Sequence, residues 1–330
     1  MLNGEALMTN GTMRFSQIGL LTGLKRHTIN ARAKTVFKDS ELERSPGNQI
    51  LLNSTQVKKL IEDRLLGVKG KIIYIGNLKG GVGKTTLAYL LINSISMLGL
   101  KTCAIDLDVQ ANLTQQYMNI DVNQPVFHDV IDNKLAVKDV LINISPTFDL
   151  IPSSLKNSLI QKSLSLQAPK HHLSWFNSLC LDYLRSNYDV IVIDTPPSLT
   201  TLNSVFCLCL ENNDHIAIPA CAEDFSIMGV QMFLDDILAI RESYKMSANP
   251  RISIIMNRFF QTQKTNLEML VKMGQQYGKM LSEIIIRDSA KIREIINNKT
   301  AIGEIKQGKD VYETISNLLY EFEILKRIEN

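Results

Sequence analysis

From Lys71 onward, short apolar runs alternate with longer stretches in which apolar residues recur at three- and four-residue spacing. The runs predict strands over 71–76, 101–106, 148–151, 189–194, 214–219, 251–256 and 281–286. The stretches between most of them predict helices over 85–98, 170–186, 201–210, 226–243 and 264–277. Strand and helix in alternation predict an α/β fold, a mostly parallel, doubly wound sheet with helices on both faces. A last amphipathic helix, Val311 to Arg327, carries Glu313, Glu321 and Glu323 and is expected to pack Tyr320, Phe322 and Leu325 on the body.

The first 70 residues break this rhythm. Residues 1–11 lack periodicity and read as a loose tail. Phe15 to Leu21 predicts a short helix with Ser16 as N-cap. Thr22-Gly23-Leu24 is the turn, and Lys25 to Lys34 a second helix. Its outward face offers Lys25, Arg26, His27, Asn30 and Arg32 to a DNA major groove. Ser45-Pro46-Gly47-Asn48 is a strong turn, Gln49 to Leu52 a strand, and Thr55 to Leu66 an amphipathic helix capped by Ser54. This order resembles a small winged helix-turn-helix domain of the MerR-like kind. The alternative is a helical hairpin that docks on the main body. Gly67 to Gly70 reads as a linker, so the expected division is 1–70 and 71–330.

The charge is uneven along the chain. Net charge is +3. Residues 1–70 carry eleven Lys/Arg against six Asp/Glu, and the remainder carries twenty-five against twenty-seven. The basic excess therefore sits in the segment that offers a DNA-facing helix. No apolar run approaches the roughly 20 residues of a membrane span, and no signal-peptide pattern opens the chain. Five cysteines (103, 180, 207, 209, 221) lie mostly in apolar segments, as reduced, buried thiols do. Cys207 and Cys209 form C-x-C without a second ligand pair, which favours a buried helix over a metal site.

The chemistry starts at Lys79-Gly80-Gly81-Val82-Gly83-Lys84-Thr85-Thr86, between the run Ile72 to Ile75 and the helical pattern from Leu87 to Leu98. Strand, glycine loop and helix are the setting of a phosphate-binding loop. The glycines let successive N–H groups from Gly80 to Thr86 point at a phosphate chain, and the helix N-terminus adds its dipole. Lys84 reaches the β- and γ-phosphates, and the Thr85 hydroxyl holds Mg²⁺. The strict G-x-x-x-x-G-K-[ST] pattern fails, because Leu78 stands where its first glycine belongs. Asp106 and Asp108 end the next strand beside this loop, where open α/β sheets bind ligands. Val190 to Ile193 ends in Asp194, a carboxylate placed for Mg²⁺, before Pro196 and Pro197 turn the chain out of the strand.

These motifs, in this order over residues 71 to about 305, resemble the ParA/MinD group of P-loop ATPases with a deviant Walker A loop. The resemblance implies ATP and Mg²⁺ as cofactors. It implies a catalytic set of Lys79, which crosses a dimer to the partner's nucleotide, Lys84, and Asp108, which orients the attacking water. It implies metal residues Thr85, Asp106 and Asp194, and Asn257 as the reader of adenine. The stretch from Ile218 to Gly229 resembles a segment that helps form the nucleotide pocket and dimer face in that group. Val109 replaces the group's usual proline and is expected to relax its loop. Arg287, Lys291 and Arg293 are placed to grip DNA backbone without reading sequence.

With the N-terminal helix-turn-helix, the chain resembles the longer partition ATPases. These form ATP-dependent homodimers, bind nonspecific DNA and an operator, and answer to a ParB-like centromere-binding partner. The implied location is the bacterial cytoplasm, on the nucleoid and not on a membrane. Rival readings are a transcriptional repressor with an ATP-sensing domain and a MinD-like membrane-positioning ATPase. The acidic C-terminal helix argues against the latter. A nitrogenase-iron-protein-like reductase shares the loop, but no cysteine closely follows Asp194.

Overall fold

The structure, a computed structural model, describes residues 11–121, 123–132, 134–165, 176–198, 200–305 and 308–327. The expected loose tail falls almost wholly outside these residues.

The chain opens with β1 (Met13–Arg14), α1 (Phe15–Thr22) and α2 (Arg26–Val36). Gly23, at φ +71°, closes α1 in the left-handed region that suits glycine. A hairpin of β2 (Glu43–Arg44) and β3 (Ile50–Leu52) follows, then α3 (Ser54–Ile61). The three strands form one antiparallel sheet in the order β1-β3-β2. Both expected serine caps are corrected. α1 begins at Phe15, and the Gln17 side chain accepts from the Arg14 N–H at 2.7 Å. α3 is capped by Asn53, whose side chain accepts from the Gln56 N–H at 2.9 Å while Gln56 returns the bond at 3.0 Å.

The body is an eight-stranded sheet. Its strands are β4 (Lys71–Ile75), β5 (Thr102–Asp106), β6 (Ile142–Ser145), β7 (Phe148–Ile151), β8 (Val190–Asp194), β9 (His215–Ala220), β10 (Arg251–Phe259) and β11 (Leu281–Arg287). The order is β11-β10-β9-β4-β8-β5-β7-β6. Every neighbouring pair is parallel except β6–β7. All seven expected strands are present; β6 is an addition. The pleat divides each central strand between two cores. Ile73, Ile75, Val190 and Val192 enter one, and Ile72, Tyr74, Ile191 and Ile193 the other.

The covering helices are α4 (Lys84–Met97), α5 (Thr114–Tyr117), α6 (Phe127–Ile131), α7 (Ile160–Ser165), α8 (Asp182–Asn187), α9 (Thr201–Leu208), α10 (Asp224–Ser243), α11 (Lys264–Tyr277), α12 (Ala290–Asn297) and α13 (Lys309–Glu321). The expected helix over 170–186 begins outside the described residues; its later part is a π-helical turn over Asn177–Leu181 that runs into α8. The C-terminal helix ends at Glu321, earlier than expected, because Glu323 turns at φ +54° and Leu325 then bridges Leu65. Phe322 and Leu325 are buried, and the Tyr320 hydroxyl donates to the Thr22 carbonyl at 3.2 Å.

The N-terminal segment packs against the body. Gln17 donates to the Gly303 carbonyl and the Tyr312 hydroxyl, both at 2.8 Å. Ser316 donates to the Leu21 carbonyl at 2.8 Å. Met13, Ile18, Leu21, Leu52 and Leu60 share one apolar cluster with Leu87, Leu91 and Ile95 of α4 and Ile315, Leu318 and Leu319 of α13. Cys103, Cys180, Cys207, Cys209 and Cys221 are all buried, free thiols. Among the described residues no group of His, Cys, Asp or Glu is arranged to hold a metal by itself.

Candidate functional site

The strand order reverses at β4, whose neighbours are β8 on one side and β9 on the other. The ends of β4, β5 and β8 converge there, as the switch-point rule expects. The glycine loop leaves β4 and enters α4 with Gly81 at φ +76° and Gly83 at φ +92°. A Cβ on Gly83 would lie 2.0 Å from the Asn257 amide nitrogen. That nitrogen donates to the Val82 carbonyl at 2.7 Å. Asn257, expected to read a base, is thus also a strut beneath the loop.

Lys84 is buried and folds back on its own loop, donating to the carbonyls of Asn77 at 3.2 Å and Lys79 at 3.1 Å. Burial lowers its pKa, while the carboxylates of Asp194 and Asp108 act the other way. Thr85 donates to Asp194 Oδ2 at 2.7 Å. Asp194 Oδ1 is buried and has no hydrogen-bond partner. Asp106 and Asp194 are register partners on adjacent strands. Burial first, then the Asp106 charge, pushes the Asp194 pKa well up. An unpartnered carboxylate oxygen beside a hydroxyl is a hard oxygen donor set, and it fits Mg²⁺ completed by phosphate and water. This arrangement needs no cluster of protein carboxylates around the ion.

Asp106, expected at the metal, makes three hydrogen bonds of its own. One oxygen accepts from the Asp108 N–H at 3.1 Å, and the other from the Thr114 N–H at 2.8 Å and the Thr114 hydroxyl at 2.7 Å. Its first visible task is to pin the loop that presents Asp108. The loop is therefore held in the absence of the proline that Val109 replaces; Ala111 absorbs the turn at φ +53°. Asp108 lines a cavity of about 730 Å³ together with Lys84, Thr85, Gly80 and Pro196. A second cavity of about 210 Å³ opens beside Gly83, Thr86 and Asn257 and is walled by Ile286, Ile292 and Ile296.

Lys79 does not turn toward its own loop. Its Nζ lies 3.4 Å from Glu223 Oε2 and 5.5 Å from the centre of the Phe225 ring. Phe225, Met228 and Met232 are 73%, 58% and 56% exposed and share one face of α10.

Sequence reasoning missed Asn77. It is buried, accepts from the Lys79 N–H and donates to the Pro219 carbonyl, both at 2.9 Å. It ties the loop to the end of β9. Gly229 lets α10 come this close, since a Cβ there would lie 3.0 Å from Asn77 Oδ1. An asparagine just after a strand reads as a turn former, so the sequence carried little signal of this role.

The basic residues divide. Lys25, Arg26 and His27 are exposed, and Asn30 is half-buried beside them. Arg32 instead makes a bidentate pair with Asp63, at 2.6 and 2.8 Å, and donates to the Leu60 carbonyl at 2.7 Å. Lys291 is paired with Glu294 at 2.9 Å and Arg293 with Asp288 at 2.6 Å. Arg287 lies beside the Gln261 amide.

A switch-point sheet with a glycine loop, a buried lysine folded onto that loop, and a Thr–Asp pair fit for Mg²⁺ defines a P-loop nucleotide-binding protein. The sequence model of the AAA domain family matches residues 70–254. An uncharacterized protein of Methanocaldococcus jannaschii, MJECL24, is 32% identical over 219 residues, covering 62% of this chain and 80% of its own. The virulence plasmid ParA family protein pGP5-D of Chlamydia trachomatis is 26% identical over 260 residues, covering 76% and 93%. A plasmid partition protein of Borrelia burgdorferi, solved with AMPPNP, superposes with a TM-score of 0.61 at 25% identity, over 76% of this chain and 98% of that one. The chain belongs to this AAA domain family and is a ParA-family P-loop ATPase.

Proposed function

We propose that this protein is an ATP-driven DNA partition ATPase. The observation that carries the reading is the outward set of Lys79 beside the exposed Phe225–Met228–Met232 ridge, next to a loop that is otherwise complete. ATP and Mg²⁺ bind with the triphosphate on the Gly80–Thr86 backbone, the metal on Thr85 and Asp194, and the base in the cavity beside Asn257. Two subunits then close over their nucleotides on the α10 ridge, and each Lys79 leaves Glu223 for the phosphates of the other. When bound, the Mg²⁺ ion neutralises phosphate charge. Asp108 accepts a hydrogen bond from the attacking water and aligns it, and Lys84 stabilises the charge that develops.

In this reading the dimer holds nonspecific DNA through Arg287, beside the Gln261 amide, and through Lys291 and Arg293, whose surface ion pairs are weak enough to exchange for phosphates. The N-terminal segment is a winged helix-turn-helix unit that binds an operator through Lys25, Arg26, His27 and Asn30 and represses the protein's own operon. A ParB-like centromere-binding partner stimulates hydrolysis and releases the DNA, on the nucleoid of a bacterial cytoplasm. No described helix is long and apolar enough to cross a membrane.

The test is binding of the purified chain to random-sequence duplex DNA with no nucleotide, with ADP, and with ATP plus Mg²⁺, at two salt concentrations. The expected result is salt-sensitive binding that ATP strengthens together with dimerisation. Binding that ignores nucleotide would instead favour a repressor with an ATP-sensing domain. Binding to liposomes and not to DNA would favour the membrane-positioning reading.

A further inference from the structure

The N-terminal segment contains a cleft of about 560 Å³ between three elements. Arg14 stands at the start of α1, Arg26, His27 and Asn30 line the first turns of α2, and Arg44 and Asn48 come from the β2–β3 hairpin. No acidic residue lines it. α2 begins at Arg26 after Lys25, which gives it no side-chain cap, so its first N–H groups add positive potential to the same wall. Arg14 Nε is buried without a hydrogen-bond partner. Among the described residues neither Arg26 nor His27 makes an ion pair.

Arg44 is held at the mouth of the cleft. It donates to Asn48 Oδ1 at 3.2 Å and to Asp39 Oδ1 at 2.6 Å, and Asp39 is 81% exposed. An exposed pair of this kind contributes little and yields readily to a phosphate. A guanidinium has five N–H donors, so two engaged donors leave the fork able to take an oxyanion. Arg32, which belongs to the same basic helix, is turned away into its pair with Asp63 and takes no part in the cleft.

We propose that this cleft is a phosphate clamp for duplex DNA, in which Arg14, Arg26 and Arg44 hold the backbone and Asn30 remains for base edges. The hairpin is then an anchoring element of equal standing with α2, and Arg32 is a structural residue. Three arginines on three separate elements fit a strand of successive phosphates better than one small anion, and the cleft is continuous with the exposed face of α2. The inference rests on the reading of the N-terminal segment as a DNA-binding unit.

The experiment is fluorescence anisotropy of the full-length chain, without nucleotide, on a short labelled duplex with a randomised core, across a salt series. Arg44→Ala is expected to weaken binding by about tenfold on all sequences and to lower the slope of log K against log salt by about 0.9. Arg44→Lys keeps the charge and should recover most of the slope. Lys272→Ala, on the exposed face of α11, should change neither quantity. If Arg44→Ala leaves the slope of a DNA-binding wild type unchanged, or if Lys272→Ala lowers it equally, the clamp is wrong and the N-terminal reading stands. If the wild type without nucleotide does not bind duplex DNA at all, the N-terminal reading fails and the clamp with it.

Discussion

One oxygen of Asp194 accepts from Thr85, and the other, fully buried, accepts from nothing. A buried carboxylate oxygen in that state is expensive unless a cation pairs with it, so the Thr85–Asp194 pair is suited to receive one. Lys84 shows the same thing, since it folds onto two loop carbonyls that a phosphate oxygen can replace. Lys84→Ala is expected to abolish nucleotide affinity in titration calorimetry; an unchanged affinity would remove the loop from its assigned role. Asp108→Ala should still bind ATP and dimerise, with turnover reduced about 100-fold or more, and full turnover would disqualify Asp108. Gly83→Ala must place a methyl group against Asn257 at φ +92°, costing about 1–3 kcal/mol of backbone strain alone. Urea melting reads that loss directly, and a variant as stable as wild type would mean the loop relaxes freely.

At the scale of elements, legibility followed burial. β4, β5, β8 and β9 were readable because strands buried along their whole length have apolar centres. β6 was not, because Ile142-Asn143-Ile144-Ser145 is an edge strand of four residues with a half-polar pattern. The caps at Arg14 and Asn53 were missed by two residues and by one, the usual uncertainty of a boundary. The clasp of Asp106 on Thr114 joins residues eight positions apart through a loop, and no periodicity announces such a contact.

His215, at the start of β9, was equally silent. It is 1% exposed, both ring nitrogens lack partners, and its ring stands edge-on to Phe322 at 5.4 Å. Burial, reinforced by the Lys71 charge and opposed by Glu323, takes its pKa from 6.5 to about 3. The folded chain therefore stays neutral there while the unfolded chain takes up a proton. Stability is fully present above pH 6.5 and is lost as pH falls toward 3, by about 2 kcal/mol between pH 6.5 and 5. His215→Phe should flatten that part of the Tm–pH curve, and a variant with the same slope as wild type would place the acid sensitivity elsewhere.

At the scale of the whole molecule, composition and turn signals suggest a division at residue 70, and packing joins the two parts closely. Ile18, Leu21, Leu52 and Leu60 belong to the same apolar cluster as Leu91 and Ile95 of the helix that follows the phosphate loop. The closing strap is polar as well as apolar. The Leu66 N–H donates to the Ile324 carbonyl at 3.0 Å, and the Lys326 N–H donates to the Arg64 carbonyl at 2.8 Å. Beneath it, buried Lys71 pairs with Glu323 at 3.0 Å. Such contacts are invisible in sequence because they join residues more than 250 positions apart.

Exposing four apolar side chains of this shared cluster costs about 6–12 kcal/mol, the size of a whole domain's stability. A chain truncated before Leu66 is therefore expected to be insoluble or molten. Full-length protein is expected to unfold in one calorimetric transition whose van't Hoff and calorimetric enthalpies agree. Two separable transitions, the smaller one removed by truncation, would show instead that the N-terminal unit folds alone. A single transition would mean that the helix carrying the phosphate loop and the helix carrying Arg26 move as one body, so that any rearrangement of two subunits about their nucleotides must also reset the distance between their N-terminal clefts.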